Sequence, residues 1–165
     1  MSKTIILTNT DIHNKIRRIA YQIYEVNTNE KEIILAGIEQ KGFIFAQKLA
    51  IILNDITDID IKLCAVTIDK KHPLDFISTS LNTNDYQNKS VVLVDDVLHS
   101  GTTLMYAVRH FLNVPLKQLK TAVLVDRNHK KYPIKADFKG ISLSTSLQNH
   151  VEVLFSDKGD QAYLE

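Results

Sequence analysis

The fold is decided by the stretch Val91-Val92-Leu93-Val94-Asp95-Asp96-Val97-Leu98-His99-Ser100-Gly101-Thr102-Thr103. Its first four residues are aliphatic and mostly β-branched, which is typical of a strand buried on both faces of a parallel sheet. Two adjacent carboxylates follow, and after a short loop Ser100 to Thr103 open a helix. We therefore predict a strand–loop–helix unit with polar side chains at the carboxyl end of the strand.

Segments of the same two kinds alternate along much of the remaining chain. Apolar or β-rich runs predict further strands at residues 33–36, 61–68 and 122–125. Apolar residues at helical spacing predict helices over 12–23, 43–53 and 104–112, with Thr10 or Asp11 capping the first. Strands that alternate with helices indicate an α/β fold, a central parallel sheet with helices on both faces.

Two regions depart from this alternation. Residues 69–89 are polar and without a clean period, which predicts a long loop. After Asp126 the apolar segments become short (141–143, 151–155 and 162–164), which predicts a small irregular or antiparallel elaboration. The length of 165 residues suits one compact domain, so we expect residues 1–165 to form a single domain.

Composition excludes several classes of protein. Twenty Lys+Arg residues balance 19 Asp+Glu residues, so a polybasic nucleic-acid tail is excluded, although a local RNA-binding patch is not. Cys64 is the single cysteine, which we expect to be a buried apolar side chain in a reduced compartment. The longest aliphatic run, residues 49–53, is far short of the ~20 residues of a membrane helix, so we expect a cytoplasmic protein without membrane contact.

Glycine marks the candidate site. The chain has five glycines, and Gly37, Gly42 and Gly101 all come shortly after predicted buried strands. Ligands of open α/β sheets bind at the carboxyl ends of the strands, where close approach of backbone and ligand favours residues without Cβ.

The residues at this edge suit a sugar phosphate. Asp95 and Asp96 can accept hydrogen bonds from vicinal ribose hydroxyls, and the helix start with Ser100, Thr102 and Thr103 can surround a phosphate. One alternative is a solvated strand end with a simple N-cap at Ser100. A receiver-type domain is disfavoured because its acid pair would follow the first strand.

The stretch over residues 91–103 resembles the phosphoribosyl-pyrophosphate (PRPP) signature of type I phosphoribosyltransferases. Residues 37–42 and 124–140 resemble the bifunctional pyrimidine-operon attenuation regulator/uracil phosphoribosyltransferase family, and the similarity extends over residues 10–164. The resemblance implies the type I phosphoribosyltransferase fold with a small C-terminal hood. It also implies transfer of ribose 5-phosphate from PRPP to a nucleobase, uracil by similarity, with release of pyrophosphate and with Mg²⁺ as cofactor.

The resemblance also implies a role for individual residues. The ribose hydroxyls would be bound by Asp95 and Asp96, which would also be the protein groups nearest to a Mg²⁺ ion held through PRPP. The rest of PRPP would be bound by His99, Ser100, Gly101, Thr102 and Thr103. The pyrophosphate loop would comprise Ile38, Glu39, Gln40, Lys41 and Gly42, and the base hood Val125, Asp126 and Arg127. Lys41 and His99 would be catalytic, and residues 69–89 would close over the site.

The sequence differs from the family pattern at four of these positions. Lys41 replaces an arginine, Glu39 replaces a basic residue, and Thr102 stands where arginine is common. His99 occupies a position that is aromatic in the regulators and acidic in purine-type relatives, so it either accepts a proton from the base or only contacts the sugar or a phosphate oxygen.

Two functions remain open at this point. One is the enzyme; the other is a nucleotide-sensing, RNA-binding regulator of pyrimidine genes with weak or no catalysis. Basic clusters at 15–18 and 130–131 are candidates for RNA contact, and we expect a homodimer or a higher homo-oligomer.

Overall fold

A computed structural model describes residues 3–144, 146 and 149–165 of the chain. The helices are α1 (Asn9–Glu25), α2 (Lys41–Ile56), α3 (Thr83–Tyr86) and α4 (Thr102–Phe111). The strands are β1 (Thr4–Leu7), β2 (Glu32–Ile38), β3 (Asp60–Ile68), β4 (Ile77–Thr79), β5 (Ser90–Leu98), β6 (Gln118–Asp126), β7 (Phe138–Ser142), β8 (Val151–Leu154) and β9 (Gln161–Leu164). None of the helices in these ranges is long and apolar enough to cross a membrane.

Six strands form the central sheet in the order β4-β3-β2-β5-β6-β7. Five of them are parallel, as predicted, and β4 is an antiparallel edge strand on β3. All residues of β5 are buried, which confirms its assignment as a central strand.

The sheet has a hydrophobic core on each face. Ile33 and Leu35 of β2 belong to the core that α1 and α2 cover, while Ile34 and Ala36 belong to the core on the α4 side. Because neighbouring strand residues point to opposite faces, an uninterrupted apolar run is needed where both faces are covered.

The predicted loop over residues 69–89 is only partly a loop. Residues 77–79 pair with β3 as β4, and α3 buries Tyr86 edge-on against Phe111 at 4.9 Å between ring centroids. The segment without a helix or strand that follows β3 is therefore confined to residues 69–76.

Residues 141 and 142, which were expected in the small elaboration, belong to β7 of the central sheet, so that part of the prediction is wrong. The elaboration itself is a three-stranded antiparallel sheet in the order β1-β9-β8, which we call the hood. Its strand β1 comes from residues 4–7, which the sequence pattern did not identify as a strand. The next helix, α1, begins earlier than predicted: Thr8 is the N-cap and exchanges hydrogen bonds with Asp11 in a capping box.

Candidate active site

The parallel strands bring four loops to one edge of the sheet. Register places Gly37 of β2 beside Val94 of β5, and Leu98 of β5 beside Asp126 of β6. The loops that follow β2, β3, β5 and β6 therefore leave the sheet on the same side, as expected for an open α/β fold.

The acid pair lies at the centre of this edge and is almost inaccessible to solvent. Asp95 is 5% exposed and Asp96 8% exposed, and the Asp96 backbone N–H donates to Asp95 Oδ1 at 2.9 Å. Burial, and next the charge of Asp96, raise the pKa of Asp95 well above its usual range, while Lys70 acts in the opposite direction. Asp95 therefore cannot ionise at low cost beside Asp96 without a ligand.

Gly42 allows α2 to begin directly against these acids. A Cβ on Gly42 would lie 2.7 Å from the Val94 carbonyl oxygen and 3.1 Å from Asp95 Oδ1. A Cβ on Gly37 would lie 2.5 Å from the Phe43 Cα. Both glycines are therefore required by close backbone packing that brings the 38–42 loop beside the acid pair.

The polar side chains of the 38–42 loop are held by partners elsewhere. Thr67 of β3 donates to Glu39 Oε2 at 2.9 Å, and Lys41 forms an ion pair with Glu152 of the hood at 3.2 Å. The Tyr163 hydroxyl donates to Glu152 at 2.8 Å, and this bond together with Lys41 lowers the pKa of Glu152. The Glu39–Gln40 peptide bond is cis.

The loop after β5 forms a cup at the start of α4. Gly101 is the N-cap residue with φ of 83°, a left-handed conformation that favours glycine. The hydroxyls of Ser100 and Thr102 are 2.8 Å apart, and the Thr102 N–H donates to Ser100 Oγ at 3.3 Å. Two hydroxyls and the first turn of α4 therefore border one small volume, a suitable environment for a phosphate.

The segment after β6 packs on this cup. The backbone N–H groups of Lys131 and Tyr132 donate to the Ser100 carbonyl at 2.7 and 3.2 Å. Val125 and Asp126, which the resemblance places in the base hood, are the last two residues of β6 in the central sheet and are not part of the β1-β9-β8 sheet, and their contact with a base stays a prediction. Asp126 accepts from the Asn128 amide at 3.1 Å and pairs with Lys130 and Lys139 at 3.4 and 3.7 Å, so its carboxylate holds the following loop.

Arg127, the third residue that the resemblance assigns to the base hood, connects the loop after β6 with the loop after β5 and with the segment before β8. Its Nη1 lies 3.1 Å from His99 Nδ1, and its Nη2 donates to the carbonyls of Ser146 and Asn149. The rings of His99 and His150 stack with centroids 5.4 Å apart and planes 5° from parallel. Burial, followed by the charge of Arg127, lowers the pKa of His99 to about 4, so its ring is neutral at pH 7.

Two cavities meet at this edge and account for most of the predicted residues. The smaller, about 80 Å³, is enclosed by Asp95, His99 and the cup over residues 100–103. The larger, about 510 Å³, lies between Glu39–Lys41, Asp96, His99 and the hood. Lys70, Val97 and His99 line both cavities, so the two are parts of one site.

Sequence reasoning did not single out three of the polar residues that line this site: His150, Glu152 and Lys70, which was expected near the site only as part of the 69–89 segment. The position of Lys70 directly after β3 was a usable signal, because it places the lysine at the carboxyl end of a parallel strand. His150 and Glu152 reach the site through the hood, and no local pattern indicates that. Within the described ranges no group of three His, Cys, Asp or Glu side chains could hold a metal ion by itself.

Comparison with known proteins agrees with this geometry. The model of the phosphoribosyl transferase domain matches residues 2–156. The bifunctional protein PyrR of Streptococcus thermophilus is 33% identical over 162 residues, which cover 95% of this chain and 92% of that protein. The PyrR protein of Fusobacterium nucleatum is 35% identical over 163 residues, 93% of this chain and 91% of that protein.

Solved structures give the same fold. The hypoxanthine phosphoribosyltransferase of Trypanosoma cruzi superposes with a TM-score of 0.76 at 18% identity, covering 97% of this chain and 95% of that one. A hypoxanthine-guanine phosphoribosyltransferase of Bacillus anthracis superposes with a TM-score of 0.73 at 22% identity, covering 87% and 84%. The fold expected from the sequence is confirmed, and the chain belongs to the phosphoribosyl transferase domain family, with bifunctional PyrR proteins among its relatives.

Proposed function

We propose that this protein transfers ribose 5-phosphate from PRPP to uracil and releases pyrophosphate. The observation that carries the proposal is the arrangement of the two joined cavities around the acid pair. A phosphate cup lies on one side of Asp95 and Asp96, and the 38–42 loop with Lys41 lies on the other. PRPP has the matching order of groups: a 5′-phosphate, a ribose with two free hydroxyls, and a pyrophosphate.

Each part of PRPP finds a chemically suitable partner in this arrangement. Asp95 and Asp96 accept hydrogen bonds from the 2′- and 3′-hydroxyls, which replaces their mutual repulsion with two donor contacts. The cup over residues 100–103 binds the 5′-phosphate through amides and hydroxyls. The 38–42 loop binds pyrophosphate through its amides and Lys41.

The acid pair also suits a magnesium ion that is bound together with PRPP. Carboxylate oxygens are hard ligands of the kind that Mg²⁺ prefers, and Mg²⁺ commonly takes the rest of its coordination from phosphates and water. Asp95 and Asp96 would supply the protein oxygens nearest to the ribose. When bound, the ion stabilises the negative charge of the departing pyrophosphate.

The protein itself contributes positioning, electrostatics and the exclusion of water. The transition state at the anomeric carbon resembles an oxocarbenium ion, so a fixed cup and acid pair that hold the ribose lower the barrier by orientation. Lys41 and the loop amides stabilise the leaving pyrophosphate. Lys70, at the start of the 69–76 segment, completes the wall of both cavities and brings a second cation to the site.

A nucleotide-sensing regulator that binds RNA is the second candidate, and one surface favours it. The α1 helix carries Lys15, Arg17 and Arg18, and Arg18 donates to the carbonyls of Lys139 and Gly140 at 3.0 and 2.7 Å. Backbone carbonyls of β7 thus hold Arg18 in place, and the three basic residues of α1 form the surface that would contact RNA. We infer for both functions a cytoplasmic protein, a single domain over residues 1–165, and a homodimer or higher homo-oligomer.

The experiment is a turnover assay with PRPP, Mg²⁺ and each common nucleobase, with pyrophosphate release as the signal. We expect release that depends on uracil, and its loss in Asp96→Asn but not in Asp55→Asn, the same change at an exposed acid of α2. Binding of uridine monophosphate without turnover would favour the nucleotide-sensing regulator over the enzyme. Absence of both turnover and nucleotide binding would overturn the proposal.

A further inference from the structure

The contact between Arg127 and His99 determines which ring nitrogen of His99 carries the proton. A guanidinium has N–H donors and no acceptor, so His99 Nδ1, 3.1 Å from Arg127 Nη1, has to be the acceptor. A neutral imidazole that accepts at Nδ1 carries its hydrogen on Nε2. The ring is therefore in the Nε2–H form, and its remaining capacity is that of a hydrogen-bond donor.

The groups around the ring keep it in this neutral form. Burial, Arg127, His150 and Lys70 all disfavour a positive charge on His99, and Asp96 alone among the main contributors favours one. The parallel stacking on His150 fixes the plane of the ring. His99 is consequently a poor proton acceptor at neutral pH, because its Nδ1 is already engaged and its Nε2 already carries a hydrogen.

Arg127 is itself held in place from several sides. Its backbone N–H donates to the Leu98 carbonyl at 3.1 Å, and its Nη2 donates to the carbonyls of Ser146 and Asn149. Fixed backbone acceptors therefore orient the guanidinium, and the guanidinium orients the imidazole. This order of contacts preorganises the His99 donor before any ligand binds.

The position of His99 indicates which part of a bound ligand lies beside its Nε2–H group. The ring lines both cavities, so it lies where the space for ribose continues into the space under the hood. His150 and Val151 form the hood side of that space, which is the room that remains for a base once the sugar, its phosphate and pyrophosphate are placed. A base located there meets an N–H group and no acceptor from His99.

We propose that Arg127 holds His99 as an Nε2–H donor that hydrogen-bonds a carbonyl oxygen of the nucleobase, a role that rests on the proposed function. His99 then distinguishes bases with a carbonyl from bases with an amino group at that position. This role replaces proton acceptance by His99. Arg127 is a positioning residue that acts through His99.

The first test needs no ligand. Long-range proton–nitrogen correlation spectra report the tautomer of each imidazole, and a His99→Gln variant identifies the His99 signals among the six histidines. We expect the Nε2–H pattern, unchanged from pH 8 to pH 6. We also expect Arg127→Lys, which keeps a donor, to retain the pattern, and Arg127→Met to lose it. An Nδ1–H pattern in the native protein, or a charged ring at pH 7, would overturn the proposal even if Arg127→Met does not fold.

The second test separates the base contact from the sugar-phosphate contacts. Calorimetric affinities for uridine monophosphate and for ribose 5-phosphate would be compared in the native protein, His99→Gln and His99→Phe. We expect His99→Phe to bind uridine monophosphate about five- to tenfold more weakly, as loss of one neutral hydrogen bond predicts, with ribose 5-phosphate unaffected. His99→Gln, whose amide can donate from nearly the position of Nε2, should lose less.

The outcomes separate a failure of the proposed nucleotide site from a failure of the proposed donor role of His99. If the native protein binds neither compound, the proposed function itself fails. If it binds both, and His99→Phe weakens both equally or neither, the nucleotide site stands and the donor role of His99 is overturned.

Discussion

At the scale of single residues, the acid pair shows how this site differs from the core around it. Asp95 and Asp96 lie in a fully buried strand that is apolar apart from them and Ser90 at its start, and they repel each other. A buried carboxyl group with a raised pKa in the folded state destabilises that state at neutral pH. The acid pair therefore lowers the stability of the ligand-free protein while it provides acceptors for a ligand.

We predict that Asp95→Asn stabilises the ligand-free protein and abolishes binding of PRPP. The amide can still accept from the Asp96 N–H and can donate to the Asp96 carboxylate, but it cannot ionise. The pKa of Asp95 is higher in the folded state than in the unfolded state. The contribution of this group to the free energy of unfolding is therefore fully present at pH values below its unfolded pKa. That stability is lost as pH rises through the folded pKa. The increase in Tm should therefore grow as pH rises above the unfolded pKa of about 4.

Thermal unfolding at several pH values checks this prediction, with Asp55→Asn as the control because its carboxylate is exposed. A decrease in Tm for Asp95→Asn at pH 8, or an increase that does not depend on pH, would contradict it. Unchanged affinity for PRPP would remove Asp95 from the binding site.

The sequence predicted which residues lie together at the candidate site better than it predicted the contacts between them. Asp95 and Asp96 could be placed from the apolar run before them, because a strand end in an α/β sheet has one location. The tautomer of His99 could not, since it depends on Arg127, 28 residues further along the chain. The partner of Lys41 was equally hidden, since Glu152 is 111 residues away.

At the scale of elements, periodicity predicted the long segments and missed the short ones. The strands β2, β5 and β6 each contain an apolar run of at least four residues, and the helices α1, α2 and α4 each have apolar residues at helical spacing. β4 has three residues and α3 has four, too few for a period to be recognised. Their stability comes from tertiary contacts, such as the burial of Tyr86 and the Ala65 N–H bond to Ser80 Oγ at 2.8 Å.

We predict that trypsin cuts the native protein first after Lys70 or Lys71 and spares Lys89. The two lysines are exposed in the segment without regular structure, whereas the Lys89 N–H and carbonyl bond to Tyr86 and Lys117 at 3.1 and 2.9 Å. Because Lys70 lines both cavities, PRPP with Mg²⁺ should slow this cleavage several-fold. Mass spectrometry of the first fragments gives the site.

Cleavage after Lys158, exposed in the turn between β8 and β9 and away from both cavities, serves as the ligand-independent reference. Primary cleavage after Lys89 would show that β4 and α3 open together with the loop. Equal slowing at Lys158 would assign the ligand effect to global stabilisation.

At the scale of the whole molecule, the hood brings distant parts of the chain to the site. Residues 4–7 pair with residues 162–164, so one sheet joins segments separated by almost the full sequence. A four-residue strand with so distant a partner leaves no local signature, which is why the hood was predicted only in its C-terminal part. The ion pair of Lys41 with Glu152 connects the hood to the 38–42 loop.

This ion pair opposes the use of Lys41 for pyrophosphate. Glu152 is ionised at neutral pH, and the Tyr163 hydroxyl and Lys41 lower its pKa further. A phosphate group that contacts Lys41 therefore competes with a carboxylate that already does. The hood in this way regulates how much of the lysine charge is available to a ligand.

We predict that Glu152→Gln increases the affinity for PRPP about two- to fivefold, while Lys41→Met decreases it. The amide keeps the size of the side chain and an acceptor for the Tyr163 hydroxyl, but no longer neutralises Lys41. The effect is small because both partners are about one-third exposed, with side-chain accessibilities of 39% and 34%. Calorimetric titration of PRPP with Mg²⁺ at low ionic strength measures it, and added salt should reduce the difference.

Lys48→Met provides the matched control, because Lys48 also joins α2 to the hood region, through Asp160 at 2.9 Å, without touching Lys41. If Lys48→Met raises the affinity as much as Glu152→Gln does, the gain comes from a loosened hood and not from the charge on Lys41. If the double variant Lys41→Met/Glu152→Gln still binds more tightly than Lys41→Met alone, Glu152 acts on the ligand directly. If Glu152 acts only by competing for Lys41, Glu152→Gln should not change the affinity for PRPP in a protein that already carries Lys41→Met, because the ion pair is then already absent.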